Sequence, residues 1–138
     1  MSFLLAALAI VVSLWAAKHF GLLGGSDSVA ALPNATPALI AFQEALTRDG
    51  IRTRPTRVQN MKTGTIDRIY MEIEGKSARS FFVFVCRDEA TCQRLRDEDR
   101  QRKPGERVES NGTLLLKLPD ELGAEDAQRV RSVFLALR

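Results

Sequence analysis

Histidine is almost missing from this chain. His19 is the only one in 138 residues, and it sits beside an apolar N-terminal run, outside the part that can fold into a body. A Ser/His/Asp or Cys/His arrangement needs an imidazole next to its nucleophile, so neither can be built in the folded part. A tetrahedral zinc site goes with them, because Cys86 and Cys92 are the only cysteines and two thiolates cannot fill it. No Gly-rich phosphate loop of either common form occurs, and there is no internal repeat or low-complexity tract. Paired carboxylates do exist. Glu72 and Glu74 alternate onto one strand face and are expected to face water beside Arg68 or Arg79. Asp97, Glu98 and Asp99 are interleaved with Arg96, Arg100 and Arg102, the pattern of a solvated helix face. The expectation is a protein that is not an enzyme and takes no cofactor and no metal.

Charge is as scarce at the N-terminus as histidine is elsewhere. Residues 1–35 carry only Lys18 and Asp27, and Ser2 to Ala17 carries no charge at all. A bilayer core needs roughly 20 apolar residues. Continuing to Gly25 supplies them if Lys18 snorkels to the interface, where Trp15 and His19 also belong. Three membrane readings compete. A cleaved secretory signal would use Ser28-Val29-Ala30 as its small-residue site, but no Lys or Arg precedes the apolar run. A cytoplasmic body gains from Lys18 just after the segment. The third is an uncleaved anchor over residues 1–25, single-pass in a bacterial-type inner (cell) membrane with the body outside, and it is the one adopted. A core helix of a soluble protein is the remaining alternative, yet nothing else in the chain could wrap so apolar a segment. Ser26 to Pro37 is rich in small residues and holds two prolines, so residues 26–35 read as a short linker.

Residues 36–138 make the domain, with 19 Lys/Arg against 16 Asp/Glu, a net charge of +3. The signs are interspersed, which serves solubility more than nucleic-acid binding. Its centre is Phe81-Phe82-Val83-Phe84-Val85-Cys86. A run with no polar position on either side implies a strand covered on both faces. Asp88 then reads as the N-cap of a strongly charged helix with little beyond Ala90, Cys92 and Leu95 to bury. Cys86 and Cys92 lie six residues apart, from strand end to first helical turn, and a disulfide there would contribute about 2 kcal/mol. It fits only outside the cytosol. Two separate thiols are the alternative; a redox-active pair is disfavoured because the spacing is not C-x-x-C.

The remaining elements follow from pattern. Thr36-Pro37 starts a helix to residue 48, stopped at Asp49-Gly50. Ile51 to Asn60 alternates but holds Pro55, which confines it to a sheet edge. Ile66 to Glu74 alternates with one wet face. Ser110-Asn111-Gly112 between strand-like runs predicts a hairpin, and Ala127, Val130, Val133, Phe134 and Leu137 form the stripe of a last helix over 124–137. The fold class is α+β, a small mostly antiparallel sheet in the order α-βββ-α-ββ-α, with the helices expected on one face.

One stretch breaks the even charge. Arg48, Arg52, Arg54, Arg57, Lys62 and Arg68 are opposed only by Asp49 and Asp67, a net +4 over residues 48–68. Charged side chains and Pro55 can simply keep an edge strand from pairing with another chain. The sharper reading is an anionic partner: lipid headgroups close under the linker, an acidic protein, or nucleic acid. Nucleic acid ranks last, since Tyr70 is the only exposed aromatic near the cluster. The function expected is a non-catalytic, membrane-tethered interaction or assembly module of the cell envelope with a protein partner. A cytoplasm-facing basic domain binding anionic lipid or nucleic acid is the alternative, and a thiol-linked redox accessory the third.

Overall fold

Thr36 opens the first helix, α1 (Pro37–Arg48). Its hydroxyl accepts the Leu39 N–H at 3.3 Å, and Pro37 stands where a helix has no use for a donor. The computed structural model describes residues 28–32, 35–58, 64–75 and 79–138, so the expected anchor over 1–25, and Lys62, lie outside the described residues. After α1 come β1 (Thr53–Arg57), β2 (Thr65–Ile73), β3 (Ser80–Cys86), α2 (Glu89–Arg102), β4 (Arg107–Asn111), β5 (Leu114–Leu118) and α3 (Ala124–Leu135). The strands form one sheet in the order β1-β2-β3-β5-β4, and every neighbouring pair is antiparallel. The α+β class is as expected. Among the described residues no helix is long and apolar enough to cross a membrane.

β3 explains the layers. Alternation sends Phe81, Val83 and Val85 to one face, where they meet Leu39, Phe42 and Leu46 of α1 and Ala127, Val130 and Phe134 of α3. The Phe42 ring stands edge-on to Phe134 at 5.2 Å and to Phe81 at 6.3 Å, an arrangement aromatic quadrupoles favour. Phe84 and Cys86 point the other way and join Leu115, Val108, and Cys92 and Leu95 of α2 in a second apolar cluster. The expectation of helices on one face therefore needs correcting: α1 and α3 share a face, and α2 covers the opposite one. The physical reason is β3 itself, whose second row of apolar side chains would otherwise stand in water.

Two features of the edges refine the pattern. Val58 donates its N–H to the Arg68 carbonyl, and Glu74 donates to Arg52. Residues 52, 54, 56 and 58 thus bond to β2, while 53, 55 and 57 turn their backbone outward. Pro55 falls on the outward set, so its missing N–H removes a donor from the free edge and none from the ladder. At the other side the hairpin pairs Asn111 with Leu114, so its two-residue loop is Gly112-Thr113, one position later than the Asn-Gly signal suggests. Gly112 has φ +57°, the left-handed value that the first loop residue of a mirror-image turn requires. Asn111 is used elsewhere: its side-chain amide donates to the carbonyls of Phe134 and Leu137 at 2.9 and 3.0 Å and ties down the end of α3.

Part of the stretch read as linker is folded. Val29–Ala31 forms a 3₁₀ turn, Val29 is fully buried against α1, and its N–H donates to the buried Gln43 Oε1 at 2.6 Å.

Cys86 and Cys92 are joined by a disulfide with their Cα atoms 5.6 Å apart. Replacing both by alanine should lower the unfolding free energy of the full chain in detergent by about 2 kcal/mol. Hydrogen exchange should show α2 losing protection before the sheet does. Uniform loss across the molecule would mean that the bridge does not hold that helix specifically.

Candidate functional site

Among the described residues, the second face of the sheet is only half covered. Cross-strand register places Arg54 beside Glu72 and Thr56 beside Tyr70, Tyr70 beside Phe82 and Arg68 beside Phe84, and Phe82 beside Lys117. All of these project to the side on which α2 lies. α2 packs on β4, β5 and β3 and seals Phe84, Cys86, Leu115 and Val108. Phe82 and Tyr70 stay half-buried, with Arg54 and Thr56 exposed beyond them.

At the border between covered and open halves the Arg68 guanidinium lies 4.3 Å over the Phe82 ring and 5.3 Å from that of Phe84, within cation–π range. Tyr70 meets Phe82 at 5.4 Å. Beside them a groove of about 390 Å³ runs between Arg68, Phe82 and Phe84 on one side and the Lys103–Arg107 and Lys117–Glu121 segments on the other. Lys117 closes its floor, with its Nζ 3.2 Å from Asp99 Oδ2, 3.3 Å from Glu106 Oε1 and 6.0 Å from the Phe84 ring centroid.

Asp99 is the surprise of this region. Asp97 and Glu98 are exposed as their solvated-face pattern implies, but Asp99 is 0% exposed and pairs with Arg102 as well as Lys117. Its spacing carries the reason: 92, 95 and 99 share one helical stripe, so Asp99 occupies the third inward position of α2. Neutralised by two cations, it serves where an apolar side chain would be expected. Asp88 starts the same helix, its Oδ1 accepting the Thr91 N–H at 2.7 Å. Those bonds from Thr91 hold its carboxyl below the usual aspartate range. Gly64 lets the helix close on β2, since a Cβ there would stand 2.9 Å from Thr91 Cγ2.

No protein-family model matches this chain, and no curated protein or solved structure matches it. The site must therefore be read from its own geometry.

The basic stretch over residues 48–68 is divided by the fold. Arg48 and Arg52 line a separate cleft with Glu44 and Glu74. Arg54 stands with Glu72 and Glu74 at the β2 end, which gives that carboxylate pair Arg54 as its basic neighbour. Of the two neighbours expected for it, Arg79 is held by Asp126 and Arg68 lies over Phe82. Arg57 grips Asp67 with two parallel bonds of 2.9 and 2.8 Å. Of the described basic residues of this stretch, Arg68 is the one that reaches the aromatic border. Phe82 was missed as a surface residue because its apolar run hides which half of the strand a short helix can cover. Its pairing with Tyr70, on the wet face of β2, is the signal that could have found it.

Two measurements follow. Lys117→Met leaves Asp99 with one cation in a buried setting and should cost about 1–3 kcal/mol, while Lys103→Met on the exposed C-cap should stay within about 0.5 kcal/mol. Equal effects would remove the buried pair from the account. Because the Asp88 carboxyl is depressed in the folded state, its contribution is present above its unfolded value and lost as pH falls through the folded one. Asp88→Asn, which keeps an acceptor but cannot titrate, should flatten the loss of stability below about pH 4. An unchanged acid limb would deny Asp88 that role.

Proposed function

We propose that this chain is a non-catalytic, membrane-tethered interaction module. Its residue 1–25 segment anchors it in a cell membrane, its body faces an oxidising compartment, and it binds a protein through the open half of the second sheet face. The observation that carries this reading is the Arg68–Phe82–Tyr70 border. A guanidinium stacked on a half-buried ring, beside a second ring and a groove, combines the residue types that dominate binding energy at protein interfaces. Among the described residues no three His, Cys, Asp or Glu side chains converge as metal ligands.

Two further observations support the placement. Both half-cystines are buried, which suits a structural bridge better than a thiol exchanger needing access. A signal cut after Ala30 would take Val29 out of the core and remove its hydrogen bond to Gln43 Oε1, which favours an uncleaved segment.

A benzophenone-bearing amino acid at Tyr70 or Phe82 should give one discrete protein adduct in intact cells. At Gln93, on the exposed side of α2, it should give none, and Arg68→Glu should abolish the Phe82 adduct. Equal labelling at all three positions, or none at any, would sink this face as the docking surface.

A further inference from the structure

Val29 is locked into the core, so the body begins almost where the proposed anchor ends. Gly25 and Ser28 are separated by only two residues, and three peptide units span at most about 11 Å. The surface around Ser28 is thereby held against the headgroups. That surface is a cleft of about 700 Å³ lined by Ser28, Gln43, Glu44, Thr47, Arg48, Arg52, Thr53 and Glu74.

Its charges are of both signs and not paired with one another. Arg57, Arg79, Arg107, Arg129 and Arg131 are each held by a carboxylate within 4.0 Å. Arg48, Arg52, Glu44 and Glu74 form no such pair among the described residues, although they share one cleft. Two cations and two carboxylates left apart in one concavity match a ligand that carries both signs.

We propose that this cleft takes the headgroup of a phosphoethanolamine lipid from the adjacent leaflet. The phosphate lies between Arg48 and Arg52, whose guanidinium groups can each donate two bonds to it, and the ammonium donates to Glu44 and Glu74. A choline headgroup has no N–H to give those carboxylates, and a glycerol headgroup has no cation to offset them. The lipid also fixes the tilt of the body, turning its second sheet face along the membrane plane toward a neighbouring protein.

This inference rests on the anchored reading above, and the test separates the two. The full chain is placed in nanodiscs of equal phosphatidylethanolamine, phosphatidylglycerol and phosphatidylcholine, with a trace of gadolinium-chelate lipid. Amide signals of Thr47 to Arg54 should broaden most, and those of Asn111 to Thr113, at the opposite strand ends, least. Native mass spectrometry of protein released from unlabelled discs should show phosphatidylethanolamine retained about fivefold more than either of the other two lipids. The double variant Arg48→Glu, Arg52→Glu should abolish the enrichment, and Glu44→Lys, Glu74→Lys should shift retention to phosphatidylglycerol; circular dichroism of each variant checks that it folds. Failure to enter the discs overturns anchor and cleft together. Entry with broadening centred elsewhere, or with no lipid preference, overturns the cleft alone.

Discussion

Cys86 ends the central strand and Cys92 lies in the first turn of α2, and this covalent link settles a problem that β3 creates. A strand apolar on both sides needs two covers. α1 and α3 supply one with complete apolar stripes. Among the described residues the other is supplied by α2, which brings just Cys92 and Leu95 to the apolar contact. Two side chains bury too little area to hold fourteen residues of charged helix against a sheet. The bridge removes the entropy of finding the contact, Asp88 fixes the first turn, and Asp99 with Lys117 fixes the last. The helix is pinned at both ends and greasy only in the middle.

The pinning has a consequence for the surface. Because α2 starts from the end of β3 and returns into β4, it lies over β3, β5 and β4, and among the described residues β2 and β1 stay uncovered on that face. The open half-face is therefore a product of topology: connecting β3 to an outer strand through a short helix screens that side and exposes the other. Arg68 partly compensates by laying its guanidinium over Phe82, a polar cap on a ring that no helix among the described residues covers. In the proposed reading it is this border that a partner covers.

Much of the fold was legible in the sequence, because local chemistry and tertiary contact agree there. Thr36-Pro37, Asp88 and the α3 stripe each state their element in a few residues. Pro55 announces an edge, and the apolar run over 81–86 announces a centre. What was not legible depends on choices between equivalent local patterns. Asn111-Gly112 fits a hairpin loop in two frames, and the frame observed is the one in which Asn111 can hold the α3 carbonyls. Asp99 belongs by composition to a solvated acidic triplet and by spacing to the inward stripe; spacing prevails because Lys117 and Arg102 are there to neutralise it. The six basic residues of 48–68 look like one patch when read along the chain, but strand alternation and the outward edge distribute the described ones over different surfaces.

That distribution separates two kinds of arginine. Those paired with carboxylates, such as Arg57 with Asp67 and Arg131 with Glu109, add little net stability at the surface but leave no field for a ligand to feel. Arg48 and Arg52 keep theirs, next to carboxylates they do not reach, at the point where the body meets its N-terminal segment. Under the proposed reading, these two cations and the Glu44 and Glu74 carboxylates beside them are what a ligand of both signs would meet. In a chain where arginine supplies fifteen of the twenty basic residues, the local setting of each guanidinium, more than the net charge of +3, distinguishes one arginine from another.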